Sequence, residues 1–300
     1  MSFLLRRTSS KLLATGRSMS TSKILQAPLL LTPSETSRVL REDNGVLLDA
    51  SWFMPNASHS GKVEFGEKRI PGAQFLDLDE VASPHELGLK HMMPEPQTFA
   101  EACGKFGIDS KTSVVIYDSH GVFSSPRALF MFRAFGHENS SILNGGLPAW
   151  VAEGGLLETG AVQQHPAKQY ATPQLNQQMI RGYEQMVSNS ALEVTGGSAS
   201  ELVLDARSKD RQKQTSSDGL EYTVFRQPDD LNRELESAVG AELARSIIEG
   251  KQPVTTTCGS GMTAAVLWLG LRLLGVKDIA LYDESWTGYA MRPSSKIIKN

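Results

Sequence analysis

The sequence predicts an α/β fold made of two similar halves, each a mostly parallel sheet flanked by helices. Three observations carry this. Apolar runs that end in Asp-Ala occur twice, as "GVLLDASW" (45–52) and "ELVLDARS" (201–208), the pattern of a buried parallel strand feeding a loop. Each run is followed at a distance by a strand, a small Gly-containing turn and a helix-periodic stretch. The order of these pieces is the same in both halves, and self-similarity at that scale indicates duplication.

The elements follow in order. "KTSVVIYDSHG" (111–121) and "KQPVTTTCGSG" (251–261) read as central strands with their turns. "SSPRALFMFRAFG" (124–136) and "MTAAVLWLGLRLLG" (262–275) carry helical periodicity. "SSILNGGLPAW" (140–150) and "DIALYDESWTGY" (278–289) read as a further strand and turn in each half. The stretch 158–178 is polar and contains Pro166 and Pro173, as a linker would. The expected division is a presequence at 1–24, a first domain at 25–158, a linker at 159–176 and a second domain at 177–300.

The halves are unequal. Asp49 and Asp118 are 69 residues apart, whereas Asp205 and Cys258 are 53 apart. In the first half the interval contains "RIPGAQFLDLD" (69–79), a Pro-Gly turn leading into another apolar strand. The second half has no such turn; Arg211 runs into "QKQTSSDG" (212–219), which reads as a polar loop. A sheet that lost a strand there would expose a ladder edge or a hole.

Composition narrows the function classes. Forty per cent hydrophobic and 21% charged residues describe a globular chain, and the net charge of −3 gives no general pull toward nucleic acid or anionic membranes. No apolar run approaches the ~18 residues of a membrane span. Two cysteines cannot form a disulfide framework. The first residues differ: Arg6, Arg7, Lys11, Arg17 and Lys23 lie among serines and leucines, and the first acid is Glu35. That composition predicts a mitochondrial transit peptide.

"TTTCGSGMTAA" (255–265) carries the chemistry. Cys258 is expected at a strand-to-helix turn, where unpaired N–H groups and the helix dipole favour a thiolate. Gly259, Ser260, Gly261, Met262 and Thr263 would form the cradle, with the two glycines letting N–H groups converge on an anion and small residues leaving the sulfur accessible. The opposing reading is a buried structural cysteine. The first half weighs against it, because Asp118 takes the same place there. A Cys-x5-Arg phosphatase needs an arginine at Ala264, and a dithiol redox pair needs a cysteine at Gly261. A single nucleophile in an amide cradle without a fixed cation suits a persulfide. Cys103, beside Phe99 and Phe106, reads as core. No metal-ligand spacing, phosphate loop or dinucleotide fingerprint occurs, so no cofactor or metal is expected.

With these motifs assembled, the sequence resembles the two-domain rhodanese superfamily, in particular the 3-mercaptopyruvate sulfurtransferases. "LLDASW", "RIPGAQFLDLD", "SSPRALFMFRAFGH", "LNGGLPAW", "LDARS", "CGSGMT" and "LYDESW" carry the resemblance. It implies tandem rhodanese-like domains, the first non-catalytic, with Cys258 as the nucleophile that becomes a persulfide. Ser260, His91 and Asp79 match a triad-like set that handles the substrate thiol proton, and Arg211 matches an arginine that holds the substrate carboxylate. A second such arginine has no matching position here. The implied reaction releases pyruvate and passes sulfane sulfur to cyanide or to a thiol such as thioredoxin, with a cysteine desulfurase as a further partner and neither nucleic acid nor membrane. Thiosulfate:cyanide sulfurtransfer, a persulfide relay for tRNA thiolation and a weakly active remnant stay open as alternatives. The site would lie in the cleft between the domains, in a mitochondrial and also cytoplasmic protein.

Overall fold

A computed structural model describes residues 27–42, 45–192, 200–207, 213–215 and 221–297. The predicted presequence (1–24) and Arg211 lie outside the described residues.

The first half runs β1 (Leu30–Leu31), α1 (Pro33–Glu42), β2 (Gly45–Asp49), α2 (Gly61–Glu67), β3 (Gln74–Phe75), α3 (Leu78–Val81), α4 (Pro96–Lys105), β4 (Ser113–Tyr117), α5 (Ser125–Ala134), β5 (Ser140–Leu143) and α6 (Gly146–Ala152). The second runs β6 (Ile180–Arg181), α7 (Tyr183–Ala191), β7 (Leu202–Asp205), β8 (Lys213–Thr215), β9 (Glu221–Thr223), α8 (Pro228–Val239), α9 (Ala241–Ile248), β10 (Val254–Thr257), α10 (Ala264–Leu273), β11 (Ile279–Tyr282) and α11 (Ser285–Met291). Between them, 159–176 contains neither helix nor strand. The stretches expected to close each half with a strand and a turn go further: each turn opens into a short helix, α6 or α11.

Two parallel sheets result. The first has strand order β1-β5-β4-β2-β3 and the second β6-β11-β10-β7. β4 is buried at every position, and so is β10. Helices α5 and α10 pack against each other, with Phe130 and Trp268 edge to face at 5.2 Å. A continuous apolar core therefore runs through both halves. That packing fixes the ends of β4 and β10, and with them the loop that follows each strand.

Among the described residues, the second sheet ends at β7, whereas the first continues to β3. The consequence is visible in burial. Leu47 is 2% exposed on β2, but Val203 at the equivalent place on β7 is 40% exposed. The expectation of a fully buried strand at 201–208 is thus corrected: β7 alternates between half-buried and exposed residues. The reading of 212–219 as a loop also changes. Lys213–Thr215 pairs antiparallel with Glu221–Thr223, and this hairpin docks on the first half. Thr223 N–H donates to His120 O (3.0 Å), and Val122 N–H donates to Thr223 Oγ1 (2.9 Å). Phe225 N–H reaches Asn144 Oδ1 at 3.0 Å.

Candidate active site

Cys258 follows β10 directly, and α10 begins six residues later at Ala264. Gly261 has φ +86°, a left-handed conformation that lets the loop turn back on itself. Its N–H points at Cys258 Sγ, 3.2 Å away. Gly259 is not in the left-handed region and faces open space, so only one of the two glycines supplies the curl. Cys258 is 2% exposed, and Met262 is equally buried. The expectation of an open sulfur is therefore not met. The N-terminus of α11 covers the loop: Trp286 N–H donates to Cys258 O (3.0 Å), and Thr287 N–H to Gly259 O (2.8 Å).

The equivalent loop of the first half shows what such a cradle holds. The Asp118 carboxylate is fully buried and accepts N–H groups of His120 (3.0 Å), Phe123 (2.8 Å), Ser124 (3.1 Å) and Ser125 (2.9 Å). The Ser125 hydroxyl adds a further donor at 2.6 Å. Convergent amides at a loop before a helix stabilise negative charge without a metal or a side-chain cation. In the second half the Cys258 sulfur stands at the equivalent strand end, and of the loop amides it receives the Gly261 N–H, at 3.2 Å.

The structure brings the triad-like set together. Asp77 caps α3 by accepting N–H groups of Asp79 and Glu80, which sets Asp79 in the first turn. Asp79 Oδ1 lies 3.1 Å from His91 Nδ1. His91 Nε2 lies 3.1 Å from Ser260 Oγ and 2.8 Å from Ser260 O. His91 is 3% exposed, so it is no surface histidine. With Nδ1–H given to Asp79, Nε2 accepts the Ser260 hydroxyl proton; a proton on Nε2 instead goes to the Ser260 carbonyl. The hydrogen bond to His91 is the main influence holding Asp79 below the usual carboxylate range, against the opposing effect of partial burial. Trp52 Nε1–H adds a donor to Asp79 Oδ2 (3.3 Å), and its ring meets His91 edge to face at 5.1 Å.

Four supporting residues were missed by sequence reasoning. Trp52 is one. Arg127, 2% exposed, donates from Nη2 to His91 O (2.7 Å) and to Asp283 Oδ1 (2.5 Å). Asp283 also accepts Met93 N–H at 2.9 Å, so the pair clamps the His91 segment against the second half. Ser285 holds φ +50°, where the first half has Gly146 at +55°. Its hydroxyl accepts Cys258 N–H (3.2 Å), lies 4.0 Å from the sulfur and donates to Tyr282 O (2.9 Å). A serine where the matching motif has glycine was the available signal. The loop itself carries no Lys or Arg, and Arg207, just beyond β7, is paired to Asp205 at 2.6 Å. Cys103 is 1% exposed, and burial pushes its thiol up.

Residues 32–153 match the Rhodanese-like domain family. Over 265 residues the chain is 36% identical to the 3-mercaptopyruvate sulfurtransferase of Homo sapiens, covering 82% of this chain and 85% of that protein. The chain belongs to the rhodanese family of sulfurtransferases. It is also 33% identical over 289 residues to the thiosulfate/3-mercaptopyruvate sulfurtransferase 1, mitochondrial, of Arabidopsis thaliana, covering 86% and 75%. The yeast mitochondrial complex I sub-stoichiometric sulfur transferase subunit matches in structure with a TM-score of 0.73 at 26% identity, over 91% of this chain and 100% of that one. The fold is accordingly the α/β, two-domain rhodanese architecture that the sequence resembled, with Asp118 in the loop after β4 and Cys258 in the loop after β10. Among the described residues, no cluster of His, Cys, Asp or Glu is gathered for a metal, and no helix is long and apolar enough to cross a membrane.

Proposed function

We propose that this rhodanese moves sulfane sulfur from 3-mercaptopyruvate to a thiol acceptor through a persulfide on Cys258. The observation that carries the reading is the meeting of two groups: a cysteine sulfur receiving a loop N–H at 3.2 Å, and an Asp79–His91–Ser260 chain ending on that same loop. In the first step the Cys258 thiolate attacks the thiol sulfur of the substrate. The S–S bond forms as the C–S bond breaks, and the electron pair goes to carbon as pyruvate enolate. The substrate thiol proton leaves through Ser260 and His91 and returns to that carbon, so pyruvate departs and Cys258–S–S⁻ remains. Gly261 N–H and the remaining amides of 259–263 stabilise the terminal sulfur anion. In the second step an acceptor thiolate attacks that sulfur and restores the Cys258 thiolate.

Arg211 is assigned to the substrate carboxylate, and the linker at 159–176 is taken as the boundary between the two duplicated domains. A loop without Lys or Arg favours mercaptopyruvate over the thiosulfate dianion. The basic first residues, together with relatives named mitochondrial, support a mitochondrial location after removal of a transit peptide. Thioredoxin-type dithiols suit the acceptor role, and a cysteine desulfurase suits an alternative donor role. Incubation with mercaptopyruvate or thiosulfate, with pyruvate release and peptide mass read together, tests the donor. Pyruvate release with a Cys258 adduct supports the reading; an adduct with thiosulfate alone replaces it with thiosulfate sulfurtransfer.

A further inference from the structure

In the first half, the sheet face opposite the shared core is covered by the segment between β2 and β3. Phe65 of α2, with Ile70 and Ala73 of the turn that follows, packs onto Leu47, Val115 and Tyr117. Among the described residues the second half shows no such segment beside β7, and its sheet shows what is left behind. β7 and β10 stand in the same register as β2 and β4, with Asp205 opposite Thr257 as Asp49 is opposite Tyr117. Val203 and Thr257 thus take the places of Leu47 and Tyr117. Around them lies a pocket of about 230 Å³, walled by Met186, Val203, Tyr282, Trp286 and Tyr289. Val203 and Trp286 are 40% and 39% exposed, so the apolar walls face water.

We infer that this pocket is a binding site for a neutral, single-ring aromatic molecule, the size and chemistry of the phenyl ring that Phe65 supplies to the first half. A volume of ~150 Å³ accommodates a benzene ring, so this open pocket of about 230 Å³ has room for one ring. Its apolar lining is three aromatic rings, Met186 and Val203, beside the polar Asn189, Ser190 and Thr257, and aromatic rings and a thioether favour ring faces and edges over aliphatic shapes. Charge at its mouth is balanced, because Arg207 and Asp205 pair at 2.6 Å, so neither an anion nor a cation is selected. Arg207 also lies over the Trp286 ring at 4.7 Å, as Arg69 lies over Phe65 at 5.1 Å in the first half. The site is separate from the sulfur chemistry but adjoins it. Thr257 precedes the nucleophile, and Trp286 N–H holds the Cys258 carbonyl at 3.0 Å. Occupancy therefore bears on the backbone that carries Cys258.

The test uses the purified full chain and fluorine NMR of three probes: 4-fluorophenol, 4-fluorobenzoate and 4-fluorobenzylamine. The expected result is saturable broadening by 4-fluorophenol at submillimolar concentration, with much weaker responses from the two charged probes. Val203→Phe and, separately, Met186→Phe place a ring in the pocket; each should abolish the 4-fluorophenol response, and Val203→Phe should raise Tm. Absence of a saturable response in the wild-type chain overturns the inference. So does wild-type binding in both filled variants when circular dichroism shows them folded, and so does preferential binding of either charged probe. None of these readouts depends on turnover, so they stand apart from any test of the sulfur-transfer reaction.

Discussion

Gly261→Ala isolates the amide cradle. At φ +86° a β-carbon is strained, and one built there would lie 2.5 Å from the Asp283 carbonyl oxygen. That carbonyl cannot simply retreat, because the Asp283 side chain is held by Arg127 and by Met93 N–H. The loop must move instead, taking the Gly261 N–H away from the sulfur 3.2 Å distant. A hydrogen bond to a charged group contributes about 1.5–3 kcal/mol, which predicts a fall in the rate of persulfide formation of roughly 10- to 150-fold. Gly259→Ala is the matched control: its β-carbon meets nothing within 4 Å and its φ is ordinary. That variant should stay within about twofold of wild type, because nothing has to move to admit the added methyl. Single-turnover mixing with mercaptopyruvate, followed by quench and mass analysis, gives both rates; Tm reports folding. Equal rates in the two variants, or a Gly261→Ala rate within twofold of wild type, would refute the cradle argument.

Ser285→Gly should keep or raise Tm by relieving a left-handed serine while slowing persulfide formation, whereas a gain in both would show the hydroxyl to be idle. Arg127→Met leaves Asp283 and the His91 carbonyl without their buried cation, and loss of one partner of a buried pair costs about 3–5 kcal/mol. Denaturant unfolding should show that loss, and an unchanged midpoint would contradict the clamp. His91→Gln should lower kcat for mercaptopyruvate by roughly 100-fold or more, the usual scale of acid–base catalysis, with little change in Tm. Burial is the main cause that raises the Asp49 carboxyl to about 6. Its folded value thus exceeds its unfolded one near 3.9, so its contribution to stability is full below that pH and is lost as pH rises through about 6. Asp49→Asn should flatten the Tm profile between those values, and an unaltered slope would count against the shift.

The strands and long helices were readable because their driving force is local. "SVVIY" and "VTTT" are continuous β-branched and apolar runs, and they became the buried centres of the two sheets. The loop around Cys258 was readable from glycine spacing and from its partner at Asp118. His91 and Asp79 were not readable from residue pattern alone: they lie far from Ser260 in sequence and reach it only when the halves pack, so the resemblance pointed to them. Ser285 and Arg127 escaped because their roles depend on a backbone angle and on one guanidinium bridging two halves. The shortened interval pointed to a strand without a counterpart, and among the described residues none pairs with the free edge of β7, but it did not show where the chain went. The β8–β9 hairpin docks on the first half because Thr223 and Phe225 find backbone and Asn144 partners there.

Peptide mass mapping of the full chain after incubation with mercaptopyruvate tests the central claim most directly. The account predicts a gain of about 32 Da, one sulfur, on the peptide that carries Cys258, none on the peptide that carries Cys103, and pyruvate released in equal amount. A folded chain that shows no adduct, or shows it on Cys103 instead, would contradict it.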